Sequence, residues 1–430
     1  MIDLCAHLTI DRLGQRGEGI AQTAEGLVFV PYALPHETII AEIDGERGHL
    51  AEILTPSTER IEAFCPAFTQ CGGCAVQTLA MASYAQWKRG LVVEVLRHAC
   101  PDTKIAPLVD AHGDGRRRAT LHARLSLEGQ APAGTMQVGF MRARSHALIA
   151  LTSCPLFAPT LSSALPATLA LAQTLAALLG PKIKPFDFIV TTTLTGLDID
   201  LRGAGPLSKA VNEKLSSLAL KLGLARLSNH GVVLLERETP LVRIGRWNVA
   251  LPPGAFLQAT EAGEAALASR VVAALAGRRK IADLFAGLGT FSLPLAESAQ
   301  VHAFDLEQAP LTALAKASHA PGLHPVEVER RDLFRRPLAT ELAGYDAIVF
   351  DPPRAGAEQQ ARALAASVVP VVVAVSCNPQ TFARDASILR AGGYDLREVT
   401  PIDQFRHSPH VELIGVFERQ PQKKKRRLLG

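Results

Sequence analysis

Cys377 closes the apolar run VVPVVVAVS and is followed at once by Asn378 and Pro379. A cysteine ending such a strand is often a small buried filler. Its company points to a nucleophile instead. The neighbouring apolar run YDAIVF ends in Asp351-Pro352-Pro353-Arg354, and a third, near the end of the chain, opens at Glu412, two residues after His410. Successive parallel strands bring their carboxyl ends to one edge of a sheet, so Cys377 and Asp351 meet there. A thiolate can add to C6 of a pyrimidine and turn C5 into an enolate carbon able to attack an electrophilic methyl group. The C5 proton must then leave to a base, and Glu412 is the candidate, with His410 on the same face of the strand. The plain alternative for His410 and Glu412 is a charged strand start. Enzymes that methylate exocyclic amines carry an aromatic residue after the paired prolines. Arg354 stands here and argues against that reaction.

The methyl donor has its own candidate pocket. Asp283-Leu-Phe285-Ala-Gly287-Leu-Gly289-Thr290-Phe runs from a strand through a loop toward a helix, but no third glycine completes a dinucleotide fingerprint. A cofactor without a pyrophosphate fits better, and S-adenosylmethionine is the expectation. Asp305 and Glu307 follow the next strand, about 20 residues on, where a carboxylate can accept from ribose hydroxyls. Asp332 follows the third strand, within reach of an adenine edge. Each aspartate alone could cap a helix.

Cys65, Cys71 and Cys74 form C-x5-C-x2-C, and Cys154 sits in a later S-C-P. Four thiolates can hold zinc or an iron–sulfur cluster. Zinc sites favour a closer first pair, so the spacing tips toward a [4Fe-4S] cluster. Four ligands leave no open iron for radical chemistry, and a structural cluster is expected. Cys5 and Cys100 have no evident role.

These residues need a frame. At 430 residues the chain should hold two to three domains. Residues 1–56 alternate apolar and polar positions between glycines, as in a small β-barrel. Residues 57–245 hold the cysteine segment, the amphipathic stretch ASYAQWKRGLVVEVLRHA and an α+β pattern. Residues 246–419 alternate strands and helices, the signature of a doubly wound, mostly parallel α/β sheet. Residues 420–430 are a basic tail carrying Lys423, Lys424, Lys425, Arg426 and Arg427. This tail is either solvated or an RNA contact. The Ala-rich stretch 161–180 is broken by Ser162, Ser163, Thr168, Gln173 and Thr174, and reads as a buried or amphipathic helix. No membrane span and no export signal are expected, and the location is cytoplasmic. A net charge of +4 permits a polyanionic partner but does not identify one. Arg116, Arg117 and Arg118 are candidate phosphate contacts.

Together the motifs D-L-F-x-G-x-G-T-F, D-P-P-R-x-G, S-C-N-P and H-V-E resemble the RNA 5-methyluridine (uracil-C5) methyltransferase family, over nearly the whole chain. The resemblance implies a TRAM-like barrel, a central domain and a Rossmann-like methyltransferase domain. It implies Cys377 as nucleophile, Glu412 as proton acceptor, and Gln258, Phe285, Asp305, Asp332 and Asp351 at cofactor-binding positions, Asp351 alternatively holding the uracil. The cysteine pattern is similar to that of cluster-bearing relatives, which act on 23S ribosomal RNA. Transfer RNA is the other expected substrate. Thr260 and Arg406 depart from the family, which commonly has Asn and Pro there. The competing readings are an RNA 5-methylcytosine methyltransferase and a non-catalytic iron–sulfur RNA-binding factor.

Overall fold

The structure, a computed structural model, describes residues 4–126, 134–180 and 183–419. The basic tail lies outside the described residues.

The N-terminal sheet has six strands, in the order Leu4–Thr9, Thr38–Asp44, Arg47–Thr55, Leu27–Pro31, Glu18–Gln22 and Arg12–Leu13. Ile10, Ala21, Val28, Val30, Ile39 and Ala41 share one core, so both edges of the sheet wrap toward the same interior. This is the curled sheet expected from the alternating pattern.

The central sheet has seven strands, running from Leu148–Ala150 through Met136–Met141, Arg118–Leu125, Phe186–Thr193, Gly196–Arg202 and Arg226–Asn229 to Val232–Glu236. Helices Ala164–Leu179 and Lys209–Lys221 cover one face. Pro159–Leu179 is long and apolar enough to cross a membrane by length and composition. In the fold it is a core element: Leu165, Leu171 and Leu175 are buried against the sheet, and Thr168 returns its hydroxyl to the Ala164 carbonyl at 2.7 Å.

The methyltransferase sheet runs Val326–Arg330, Gln300–Asp305, Lys280–Leu284, Ala347–Phe350, Val371–Ser376, Glu412–Arg419 and Tyr394–Asp403. The first five are parallel. Glu412–Arg419 is antiparallel to both of its neighbours. The continuous apolar runs follow from burial on both faces. Ile348, Phe350 and Val372 pack on one side with Val92, Leu96 and Leu389, while Val349, Val371 and Val373 pack on the other with Leu267 and Val271.

One boundary moves. The sequence division places residues 81–111 with the central block, but helix Met81–Ala99 packs on the methyltransferase core through Val92, Leu96 and Cys100. The short strands Lys104–Ile105 and Val109–Asp110 extend that sheet beside Tyr394–Asp403. The helix's amphipathic face is legible in the sequence, its partner is not.

Candidate active site

The antiparallel strand decides the geometry of the pocket. Ser376 pairs with Leu413 in register, so the next positions outward are Cys377 and Glu412, cross-strand neighbours at the carboxyl end of the parallel strands. Side chains at such opposed positions point to the same face. Asp351 follows the adjoining strand. Burial, then the charges of Glu412 and Asp351, push the Cys377 thiol up to about 11, while Arg354 pulls it down. Burial and then Asp351 raise Glu412 to about 8, opposed by the hydrogen bond from Gln404. Asp351 rises to about 7 through burial. Three acids thus share one desolvated corner, where burial favours the protonated form of each. His410 does not join them on a strand face, because the strand begins at Glu412. It is exposed, with its ring against Phe405 at 6.0 Å.

Arg354 is the first residue whose part in the site the sequence did not assign: its positive charge favours the ionised forms of both Cys377 and Glu412. Its carbonyl accepts from Asn378 Nδ2 at 3.0 Å and Thr381 Oγ1 at 3.2 Å, which ties the DPPR turn to the helix following Cys377.

Gln404 is the second residue missed. It is buried, and its amide nitrogen donates to Gln258 Oε1 at 2.7 Å and to Glu412 Oε1 at 3.1 Å. Gln258 Nε2 in turn faces Asp351 Oδ2 at 3.5 Å. Segment 403–408 is held from behind by Lys88, whose buried ammonium meets Asp403 at 2.5 Å and the Phe405 carbonyl at 2.9 Å. Tyr84 donates to Asp403 at 2.6 Å. Burial lowers Lys88 to about 8, and removing one partner of such a buried pair typically costs about 3–5 kcal/mol.

At the other end of the sheet edge, Phe285, Gly287 and Gly289 all have positive φ, at 64°, 53° and 90°. A Cβ on Gly289 would overlap Leu314, whereas one on Gly287 would meet open space, so the loop leaves a cradle above the strand ends. Asp305 steadies it, its oxygens accepting from the backbone of Gly287 and Glu307, each at 2.8 Å. Asp283 is wholly buried. One of its oxygens accepts from Ser292 at 2.5 Å and the other has no partner among the described residues. Burial holds Asp283 near 7. A glycine cradle, a strand-end carboxylate and an orphan buried acceptor fit the methionine and ribose portions of S-adenosylmethionine. Phe285 and Phe334 lie 5.5 Å apart beside this loop. Asp332 accepts from the Phe334 and Arg335 backbone at 3.0 and 3.2 Å, the local turn-capping role that a lone strand-end aspartate allows. Thr290 lines a surface cleft with Arg243, Glu261 and Glu297.

Cys65, Cys71, Cys74 and Cys154 line one small cavity, with Phe140 and Arg116. All four are free thiols. Burial raises Cys71, Cys154 and Cys74, the last to about 11, and the thiols act on one another. Among the described residues no three His, Cys, Asp or Glu side chains are gathered closely enough to hold a single metal ion. The backbone of Ala75 and Val76, just after Cys74, donates to the His407 carbonyl at 2.7 and 3.3 Å, so the cysteine loop rests against segment 403–408.

Residues 252–420 match the family described as tRNA (Uracil-5-)-methyltransferase. Over 97% of its length the chain is 43% identical to an RNA methyltransferase of Brucella melitensis, of which it covers 98%. It is 31% identical to the 23S rRNA (uracil(1939)-C(5))-methyltransferase of Alkalilimnicola ehrlichii, with 97% of each covered. The chain belongs to the RNA (uracil-5-)-methyltransferase family. The Pyrococcus abyssi tRNA (uracil-54, C5)-methyltransferase, solved with S-adenosyl-L-homocysteine, shares the fold. Its TM-score is 0.71 at 21% identity, over 96% of this chain and all of that one.

Within this uracil-5 methyltransferase the two departures from the family have local explanations. Thr260 caps helix Glu261–Ala274, accepting from Gly263 at 2.9 Å and donating to the Ala111 carbonyl at 2.7 Å. Arg406 pairs with Asp110 at 2.5 Å. The arginine cluster needs correction as a set of phosphate contacts. Arg117 is buried, bonded to Glu264 at 2.7 Å and to the Gln258 carbonyl at 3.1 Å, and serves as a strut between the central sheet and the cofactor side. Arg116 lies over the Phe405 ring and Arg118 over Phe256.

Proposed function

We propose that the protein transfers the methyl group of S-adenosylmethionine to C5 of a uridine in RNA, with 23S ribosomal RNA as substrate, in the cytoplasm. The observation that carries the reading is the cross-strand placement of Cys377 and Glu412 with Asp351 beside them. A thiol flanked by two desolvated carboxyls and one guanidinium is equipped to add to a pyrimidine and to take a proton back afterwards. The 31% identity to a 23S rRNA enzyme over the whole chain supports the ribosomal substrate.

S-adenosylmethionine supplies the sulfonium methyl, and Gln258, Phe285, Gly287, Gly289, Thr290, Asp305 and Asp332 are the residues we assign to its side of the pocket. The Cys377 thiolate, its proton released to solvent, bonds through Sγ to C6 of the uracil, whose C5–C6 electrons move toward O4. C5 then takes the methyl, and the electrons of the broken S–CH3 bond would stay on the donor's sulfur, giving S-adenosylhomocysteine. Glu412 accepts the C5 proton, the C5–H electrons restore the double bond, and the thiolate leaves. Arg354 favours the ionised thiol, and Asp351, next to Gln258, holds the base between nucleophile and donor. A uridine in a helix hides this face, so the base must be turned out of its stack.

The decisive assay offers labelled S-adenosylmethionine with separated ribosomal and transfer RNA from cells lacking the protein, followed by nucleoside analysis. Label in 5-methyluridine of 23S RNA is expected. Label only in transfer RNA would overturn the substrate, and label in 5-methylcytidine the reaction.

The pH dependence follows from the carboxyl. Glu412 must be ionised to accept a proton, and its folded value of about 8 means the rate should climb as pH rises through that value. The single-turnover rate at which methylated RNA is released from the enzyme, followed against pH, checks this. A flat profile there would remove Glu412 as acceptor.

Cys65, Cys71, Cys74 and Cys154 are the proposed ligands of a [4Fe-4S] cluster. The four thiols line one cavity, and their C-x5-C-x2-C spacing, with Cys154 later in the chain, is what suggests a cluster rather than zinc. Cys74→Ser should lose most of the bound iron and sulfide after anaerobic purification. Zinc in the wild-type protein without sulfide would overturn the assignment.

A further inference from the structure

Gln404 sits, 1% exposed, where three segments distant in sequence meet. Its Nε2 reaches both Gln258 Oε1 and Glu412 Oε1, and its Oε1 accepts from the backbone of Ala259 at 2.9 Å and Thr260 at 3.4 Å. A side-chain amide can donate two hydrogens from one end and accept at the other, and all of that capacity is used here. The fit is close: a Cβ on Gly263 would lie 2.7 Å from Gln404 Oε1. Its flanks are fixed too. The Asp403 carbonyl accepts from Ala111 at 3.0 Å, and three residues beyond Gln404, His407 donates its N–H to Tyr84 at 2.9 Å while its carbonyl takes the two bonds from the cysteine loop. The amide therefore cannot swing away without breaking buried bonds. Glu412 Oε1 is the oxygen that this amide ties down. Gln258, whose side-chain oxygen faces the same donor, is left with Nε2 toward Asp351.

We infer that Gln404 is the positioning residue for proton removal: it fixes one oxygen of Glu412 so that the other meets the C5 proton, and it links that carboxylate to Gln258 on the donor side. This rests on Glu412 being the proton acceptor. Addition of Cys377 to C6 needs no group that Gln404 holds, so loss of Gln404 slows the expulsion of the thiolate more than its addition. The covalent enzyme–RNA species should then accumulate. The affinity for the cofactor product should also fall, because Gln258 loses its anchor.

The test compares the full-length wild type with Gln404→Leu, Gln404→Glu and Glu412→Gln, using unmethylated 23S ribosomal RNA and S-adenosylmethionine. Gln404→Glu keeps the oxygen that accepts from Ala259 and Thr260, so it preserves the comparison should the leucine variant not fold. Expected for the Gln404 variants are a turnover drop of roughly 10- to 100-fold and, on denaturing gels, a steady-state adduct about tenfold above wild type. S-adenosylhomocysteine should bind about tenfold more weakly by calorimetry, the worth of one lost hydrogen bond. Turnover and adduct falling together, or a wild-type adduct level with full turnover, would overturn the role of Gln404 while Glu412→Gln still traps adduct. Absence of adduct in Glu412→Gln, with RNA and S-adenosylhomocysteine still bound, would overturn the assignment of Glu412 itself and with it this inference.

Discussion

Cys377→Ala will bind S-adenosylmethionine with wild-type affinity and transfer no measurable methyl group to RNA, a loss of at least about 10⁴-fold. The size follows from the absence of a substitute. Ser376, the adjacent hydroxyl, is engaged with its own turn: it donates to the Asn378 carbonyl and accepts from the Asn378 amide, both at 3.2 Å. Cys100 is buried in the methyltransferase core, and Cys65, Cys71, Cys74 and Cys154 gather at the second cavity. Without a thiolate, C5 of the uracil does not become an enolate carbon, however well the methyl donor is placed. The cradle at Phe285–Gly289 lies on different strand ends, so cofactor binding should be untouched. Isothermal titration with S-adenosylmethionine and a labelled-methyl assay measure the two properties separately. Residual turnover within tenfold of wild type would remove Cys377 as nucleophile, whereas loss of both properties would mean that the substitution had disturbed the sheet edge.

How much of this pocket could be seen in the sequence depends on whether a residue acts through its own strand or through a distant one. Cys377, Asp351 and the Asp283–Thr290 loop were legible because each ends an apolar run in a parallel sheet, and such ends converge on one edge. Glu412 was legible as a candidate base at the start of the last strand, but its place beside Cys377 was not. Its adjacency to Cys377 arises because that strand inserts antiparallel between Val371–Ser376 and Tyr394–Asp403, so that its first residue meets the last residues of its neighbour. Periodicity carries no information about that order. Gln404 left no signal at all. Its partner Gln258 is 146 residues away, and a polar residue after a strand reads as a turn. The same reason displaced helix Met81–Ala99, whose Tyr84 meets Asp403 across 319 residues. Arg117 misled in the opposite direction: three consecutive arginines look like a phosphate clamp, yet the middle one, at the bend before strand Arg118–Leu125, turns inward to Glu264.

Glu412→Gln should behave differently from Cys377→Ala, because it blocks a later step. The amide oxygen introduced by this substitution can still accept from Gln404, so the pocket keeps its shape. Removing the carboxylate also removes one of the charges that raise the Cys377 thiol, so addition to C6 should be no slower. Methyl transfer to C5 follows. The chemistry then stops, since the C5 proton has no acceptor, and protein and RNA remain joined through Cys377 in a complex that carries the new methyl group. Turnover should fall by about 10²–10⁴-fold, the usual worth of a positioned base. A labelled band migrating with both RNA and protein on a denaturing gel, absent from the Cys377→Ala/Glu412→Gln double variant, is the expected result. Stability gives an independent check on the same carboxyl. A folded value of about 8, raised above the unfolded one, means that the carboxyl's contribution to stability is full below the unfolded value and is lost as pH rises toward 8. The neutral amide has no such loss, so Glu412→Gln should gain thermal stability over wild type on the alkaline side and not at acid pH. Equal stability at both, together with free turnover, would show Glu412 to be an ordinary solvated residue at the start of a strand.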